Sequence, residues 1–288
     1  MMLTIFTPTY NRGHFLFRLH ENLLSQSERD FEWLIVDDGS TDDTASVVAE
    51  LISSSPLEIR YVRKDNGGKH TAHNTAISLA SGEWFLCLDS DDVLTNNALA
   101  HIRAAILSAS LQDCGIISYK SLPDGQILSS PFPGSDLRYS LYEHSVLGGG
   151  EYALVFRTSI IKRFPFPVIA GERFSTECVV YDRLSLEHQT FFALPEVLEI
   201  CEYQPDGLSS NAYRLLLQNP TGYQIYHAQR IDLVHTWKLR LRHAICYQAF
   251  CRLSRNRDYR YRGKHRFLTA LAWLPGQLGA MYYKKKGT

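Results

Sequence analysis

Residues 31–40 read Phe31-Glu32-Trp33-Leu34-Ile35-Val36-Asp37-Asp38-Gly39-Ser40. A largely apolar run of six stops at two acids and a glycine, the pattern of a strand that ends in a polar loop. The same alternation extends both ways. Upstream, residues 3–7 form a short apolar run closed by Pro8, and residues 14–25 place Phe15, Leu16, Leu19, Leu23 and Leu24 at helical spacing. Downstream, residues 42–52 read as a helix, with Ser40 and Asp43 spaced like a capping box. Residues 58–63, 84–88 and 115–119 follow as strands, separated by helices over 71–80 and 96–108. Strand and helix in turn, with crossovers of this length, predict an α/β fold: a mostly parallel sheet covered by helices on both faces. In such sheets ligands bind beyond the carboxyl ends of the strands. The polar clusters 8–12, 37–40, 66–70 and 89–92 all fall there, so four separate segments are expected to converge on one rim. Past residue 125 the pattern loosens, with a strand over 153–157, a helix over 176–187 and a helical stretch over 230–253.

The composition is that of an ordinary globular chain. It has 288 residues, 45% hydrophobic, 21% charged and 12% aromatic, which excludes wholesale disorder, a collagen repeat and a polytopic membrane protein. Lys and Arg total 30, as do Asp and Glu, giving a net charge of zero. The zero hides a segregation. Residues 1–229 hold 16 basic and 28 acidic side chains, and residues 230–288 hold 14 basic and 2 acidic ones. The six cysteines form no CxxC pair and lie partly in apolar runs, which suits free thiols in a reducing cytosol. No secretory leader pattern opens the chain, and no window is long and apolar enough to predict a spanning helix.

Asp89-Ser90-Asp91-Asp92 follows Phe85-Leu86-Cys87-Leu88 directly. Three carboxylates in four residues repel one another, and a hard divalent cation relieves that repulsion while bridging to phosphate oxygens. Taken alone, the run also reads as a turn whose acids cap the helix beginning near Asn96. Asp37 and Asp38 could cap the following helix, or one could accept hydrogen bonds from a nucleobase imide or a ribose hydroxyl. Asn66-Gly67-Gly68-Lys69-His70 opens the third helix. Its glycines let backbone N–H groups approach phosphate, with Lys69 or His70 adding positive charge. The GxxxxGK[ST] phosphate loop is absent.

In order and spacing, four segments closely resemble the family 2 glycosyltransferases: Thr7-Pro8-Thr9-Tyr10-Asn11-Arg12, the run from Trp33 to Asp42, Asn74 with Ala80-Ser81-Gly82-Glu83, and Asp89-Ser90-Asp91-Asp92. The resemblance covers roughly residues 1–125. It implies a GT-A fold and transfer of a sugar from a nucleotide-sugar donor, with inversion at the anomeric carbon. It implies donor-binding roles for Pro8, Thr9, Tyr10, Asp37, Asp38, Lys69, Asn74, Asp89 and Ser90, with Asp38 at the base. Asp89 and Asp91 become a DxD motif, with Asp91 the first choice as direct ligand of Mn²⁺ or Mg²⁺ and Asp89 nearer the ribose and the metal.

Inversion by single displacement needs a carboxylate to take the acceptor's proton. The family usually carries an acidic pair there, followed by a helix face and an Arg. Gly171-Glu172-Arg173-Phe174-Ser175-Thr176-Glu177 leads into Val179, Val180, Tyr181 and Arg183, and the spacing from Glu177 to Arg183 matches. The chain departs from the pattern in having Thr176-Glu177 for the acidic pair. Glu177 is the expected base, Glu172 the second choice and Glu151 the third.

These readings divide the chain into a nucleotide-sugar half (1–125), an acceptor half (126–229) and a basic amphipathic extension (230–288). The extension joins a cationic stretch, Arg252, Arg255, Arg257, Arg260, Arg262, Lys264 and Arg266, to an apolar aromatic segment that closes on Lys284-Lys285-Lys286. It suits an anionic membrane interface, or a helix packed on the acidic body; no nucleic-acid module accompanies the charge. The expected activity is a metal-dependent transfer of a hexose-type sugar from a UDP-sugar to a cell-surface glycan. The glycan is expected on a polyprenyl-diphosphate carrier at the cytoplasmic face of the membrane. A nucleotidyltransferase and an inactive sugar-nucleotide-binding scaffold stand as alternatives.

Overall fold

The structure, a computed structural model, describes residues 2–132, 138–142, 149–204, 212–254, 256 and 258–287. The Pro- and Gly-bearing stretches 131–136 and 205–207, which read as loop and turn, fall wholly or largely outside these residues, as do Gly148 of the Gly148-Gly149-Gly150 run, Arg255 and Arg257. The chain forms two compact units: Met1–Pro165 with His188–Gln204, and Phe166–Glu187 with Pro205–Thr288. Both expected boundaries, at 125/126 and 229/230, fall inside a unit rather than between units.

The first unit is a sheet with helices on both faces. Its strands are β1 (Leu3–Thr9), β2 (Phe31–Asp37), β3 (Ile59–Arg63), β4 (Trp84–Cys87), β5 (Val93–Leu94), β6 (Asp113–Ser121), β7 (Arg138–Tyr139), β8 (Tyr152–Arg157) and β9 (Thr190–Ile200). They lie in the order β3-β2-β1-β4-β8-β6-β9-β5, with β7 also on β9. The first four pair in parallel, as the alternation predicts. β8 runs antiparallel to β4 and to β6, and β6 and β9 pair in parallel. The rim clusters thus sit on the parallel half of a mixed sheet.

Alternation along each strand sorts the core. Leu3, Ile5, Trp33, Ile35 and Leu86 meet Leu16, Leu19 and Leu23 of α1 (Gly13–Ser25), Val48 of α2 (Thr44–Ser54) and Ile102 of α4 (Ala98–Ser108). On the other face Phe6 stacks on Phe85 at 5.7 Å and meets His73 of α3 (Lys69–Leu79) edge-on at 5.5 Å. A short α5 (Thr158–Ile161) follows β8.

Glu32 is buried in this sheet without exposure. Its Oε1 accepts hydrogen bonds from Thr4 Oγ1 (2.6 Å) and Ser81 N–H (2.8 Å), and its Oε2 from Arg60 (2.5 Å). Burial opposes the charge, but these donors prevail and hold the carboxyl down to about 2. Gly82 beside it has no room for a side chain, since a Cβ would lie 2.4 Å from the Thr4 nitrogen.

The capping box does not form. Ser40 Oγ accepts the Asn11 N–H, and the Thr44 N–H goes to Asp42 Oδ1.

The second unit is helical: α6 (Cys178–Leu186), α7 (Ala212–Gln218), α8 (Pro220–Leu233), α9 (Trp237–Leu253), α10 (Arg266–Leu271) and α11 (Trp273–Gly287). The helical stretch expected over 230–253 breaks at Val234-His235-Thr236, where Thr236 caps α9 by accepting the Leu239 N–H. Ile231, Ala244, Tyr247 and Ala272 form its core cluster. Asp182 of α6 and Arg230 of α8 make an ion pair at 2.6 Å, almost fully buried on both sides.

Candidate active site

At the end of β1, Pro8 is half-buried, Thr9 buried and Tyr10 exposed. Asn11 takes a left-handed turn (φ 54°). From there its Oδ1 accepts the Thr41 N–H at 2.7 Å, fastening this loop to the one after β2. In that second loop Asp37 is wholly buried, and both its oxygens are engaged: Oδ1 accepts the Ser40 N–H (2.7 Å) and Oδ2 the Tyr61 hydroxyl (2.6 Å). Asp37 therefore braces the loop from within. Asp38 reaches across instead. Its Oδ1 accepts from Lys64 Nζ (2.6 Å) and the Gly67 N–H (2.9 Å), and its Oδ2 accepts the Gly68 N–H (2.6 Å). Gly39 adopts φ 84°, and a Cβ there would press on the Asn66 nitrogen at 2.9 Å.

Gly68, also at positive φ (93°), turns the chain into α3, whose first residue is Lys69. Lys69 Nζ meets Asp89 Oδ2 at 2.8 Å, and Arg12 meets Asp91 Oδ2 at 3.0 Å. Arg18 donates to the Asp91 carbonyl. Asp92 takes a different direction: it accepts the Glu202 N–H and the Cys201 thiol, each at 3.3 Å, with Lys120 at 3.8 Å. None of the three acids therefore serves as a cap for α4, whose first N–H goes to the Thr95 carbonyl. Ser90 is buried between them.

The four rim loops are thus joined by alternating acids and cations. The charges respond to one another. Burial works against ionised Asp89, yet Lys69 holds it below the ordinary carboxylate range. Burial and the neighbouring Asp89 push Asp91 up, and burial pushes Asp92 up to about 7 against the pull of Lys120. Asp89 and Asp91 offer oxygen ligands only, and their mutual repulsion is what a hard divalent cation relieves. The donor set fits Mn²⁺ or Mg²⁺.

One expected donor residue, Asn74, stands apart from this rim. Asn74 lines a separate cleft of about 320 Å³ with Ile77, Ser78, Lys162 and Pro165, which no other candidate residue lines. Glu177 and Glu172 belong to the second unit. Glu177 precedes α6, is exposed, and accepts the Tyr181 hydroxyl at 3.2 Å. Glu172 holds the start of α8, its two oxygens accepting the Thr221 and Gly222 N–H groups at 2.7 and 2.9 Å. Glu151 accepts the Tyr203 hydroxyl at 2.9 Å.

Sequence reasoning passed over Lys64, Arg12 and Arg18. Lys64 stands directly after β3, where the rule that singled out the acids applies equally to a cation. Arg12 lies within a quoted motif without being given a role.

Comparison with known proteins places the fold and the family. The sequence profile described as "Glycosyl transferase family 2" matches residues 4–164. The chain is 32% identical over 132 residues to a chondroitin synthase of Pasteurella multocida, covering 46% of this chain and 14% of that protein. It is 26% identical over 164 residues to the poly(ribitol-phosphate) beta-N-acetylglucosaminyltransferase TarS of Staphylococcus aureus, covering 56% of this chain and 28% of TarS. The match therefore spans less than a third of either relative. Among solved structures, S. aureus TarS 1–349 in complex with UDP-GlcNAc superposes with a TM-score of 0.62 at 18% identity, covering 96% of this chain and 79% of that one. The mannosyltransferase PcManGT of Pyrobaculum calidifontis, in complex with GDP-Man and Mn²⁺, gives 0.57 at 18% identity, with 99% and 82% covered. The shared architecture is the GT-A fold, and with more than half of its length inside the family profile, the chain belongs to glycosyl transferase family 2.

Proposed function

We propose that this glycosyltransferase moves a hexose-type sugar from a UDP-sugar to a hydroxyl of a growing cell-surface glycan. The glycan is carried on a polyprenyl diphosphate at the cytoplasmic face of the cell membrane, and the anomeric carbon inverts. The observation that carries the reading is the rim itself, where Asp38, Lys69, Arg12, Asp89 and Asp91 link the loops after β1, β2, β3 and β4. Asp38 has three donors on its carboxylate, leaving about one lone-pair site for a base imide. TarS was solved with UDP-GlcNAc and PcManGT with GDP-Man and Mn²⁺, which supports a nucleotide-sugar donor and a divalent cation.

Asp89 and Asp91 would hold the metal, with Pro8, Thr9, Tyr10 and Ser90 shaping the donor site; Asn74 lines its own cleft and is not part of that set. Bound there, Mn²⁺ or Mg²⁺ supplies counter-charge to the diphosphate leaving group. Lys69, at the N-terminus of α3, adds positive charge on the same side. Glu177 takes the acceptor proton. It is exposed and accepts the Tyr181 hydroxyl; both oxygens of Glu172, the second choice, are committed to backbone N–H groups at the start of α8. Family membership speaks against a nucleotidyltransferase.

A panel of UDP-sugars offered with lipid-linked acceptors tests the reading. The expected result is Mn²⁺-dependent UDP release and a product of inverted linkage. Asp91→Ala should abolish it, and Glu177→Gln should remove turnover while sparing UDP binding. UDP binding without turnover of any donor points to the inactive scaffold, and wild-type turnover in Glu177→Gln moves the base elsewhere.

A further inference from the structure

The end of the second unit is built with its side-chain sizes inverted. α10 and α11 are separated only by Ala272, and helical bonding continues across the joint, from Ala272 N–H to the Leu268 carbonyl (3.0 Å) and from Gly276 N–H to the Ala272 carbonyl (2.9 Å). Pro275 falls in the first turn of α11, where its missing N–H costs no helical bond. One helical spacing therefore governs both helices. The face turned to α9 is small. A Cβ on Gly276 would stand 2.3 Å from Gln248 Cβ, and one on Gly279 would stand 3.3 Å from Ala249 Cβ. Ala272 and Ala280 are buried on the same side, and Tyr283 continues it at 5.0 Å from the Phe250 ring.

The opposite face carries Phe267, Leu271, Leu274, Leu278 and Met281. Their spacing of four, three, four and three residues keeps them on one stripe, and each is 61–77% exposed. A helix stabilised only by its own unit buries its large apolar side chains. This one shows them to the outside and buries alanine and glycine. A continuous apolar stripe of this kind marks an interaction surface.

We propose that the stripe lies in the interface of an anionic lipid bilayer, with the helices parallel to the surface. The five apolar side chains enter the acyl boundary, and the flanking cations sit among the headgroups. Charge decides the occupant. Residues 259–288 contain no Asp or Glu; Arg260, Arg262, Lys264 and Arg266 precede the stripe, and Lys284, Lys285 and Lys286 follow it. All seven are exposed. A second copy docked on the stripe, parallel or antiparallel, would set one cationic end against another, and Asp232, exposed beside Tyr261, offsets only a single charge of the seven. An anionic headgroup layer satisfies both ends at once. Among the described residues no helix is long and apolar enough to cross a membrane, so the segment lies on the bilayer. The surface is confined to the second unit and holds independently of the transfer chemistry.

Cosedimentation of the full chain with vesicles tests it. Binding to phosphatidylglycerol–phosphatidylcholine vesicles is expected to exceed binding to phosphatidylcholine alone at least tenfold and to weaken with added salt. Leu274→Glu combined with Leu278→Glu should lose that binding at least tenfold with an unchanged circular dichroism spectrum and melting temperature, because both side chains are exposed. Replacing the three terminal lysines by Gln should weaken binding roughly 10- to 100-fold. Equal vesicle binding by the double variant overturns the proposal. So does a full-length dimer that the double variant dissociates, which would give the stripe to a second copy.

Discussion

Glu32 shows how a single side chain can tie a sheet together. It gathers Thr4 from β1, Arg60 from β3 and the Ser81 N–H from the loop before β4. Its folded pKa of about 2 lies below the ordinary 4.5. The contribution to stability is therefore complete above about pH 4.5 and is lost as the pH falls toward 2. Glu32→Gln should cost on the order of 3 kcal/mol at neutral pH. Thermal melts from pH 7 down to 3 should show the gap from wild type closing at the acid end. Asp38 makes the parallel case at the rim. Asp38→Asn leaves one acceptor oxygen where three donors now converge, and calorimetry should find UDP bound about tenfold or more weakly. Unchanged affinity would leave Asp38 as a clasp for the Gly67-Gly68 turn alone. The rim acids were legible because each follows an apolar strand directly. Their partners were not, since Arg12 meets Asp91 and Lys64 meets Asp38 only after separate segments have folded onto one edge.

At the scale of elements, the clearest test is the buried pair between α6 and α8. Asp182 and Arg230 are nearly sealed from water, so removing either one leaves an uncompensated charge in the interior. Asp182→Leu or Arg230→Met alone should destabilise by about 3–5 kcal/mol, while the double substitution should lie near the wild type. Chemical denaturation of the three variants measures this directly. The parallel strands and first four helices were legible from periodicity, whereas β9 was not. Its sequence holds Pro195, which cannot donate to a ladder. The structure accommodates it in a bulge. Leu194 pairs with Ser118 and Val197 with Tyr119, so Pro195 and Glu196 fall where the register slips against β6. A one-residue-at-a-time reading takes that proline as a stop.

For the whole molecule, the two halves of the charge ledger do not correspond to two separable pieces. A cut at residue 229 divides α8 and removes α9, α10 and α11, and with them the whole core cluster of Ile231, Ala244, Tyr247 and Ala272. A chain ending at 229 should therefore fail to form the second unit. Limited proteolysis should cut it rapidly within 166–187 while the same bonds in the full chain resist, and equal resistance would show that the tail is dispensable. The basic tail was legible as charge and hydrophobicity. Its internal packing was not, because the contacts are made by Gly276, Gly279 and Ala280, residues that carry no hydrophobic pattern.

The chain enters the second unit at Phe166, returns to the first at His188 and leaves it again after Gln204. On the ribosome this route imposes a schedule. β9 emerges only after 166–187 has been made, so the sheet closes with that segment still a loop hanging from it. Val179, Val180 and Leu184, each at most 1% exposed in the finished fold, then wait for residues up to 287 to be added. At about 5–20 residues per second that wait lasts roughly 5–20 s, and during it the apolar face of the future α6 is open to whatever in the cell binds unfinished chains.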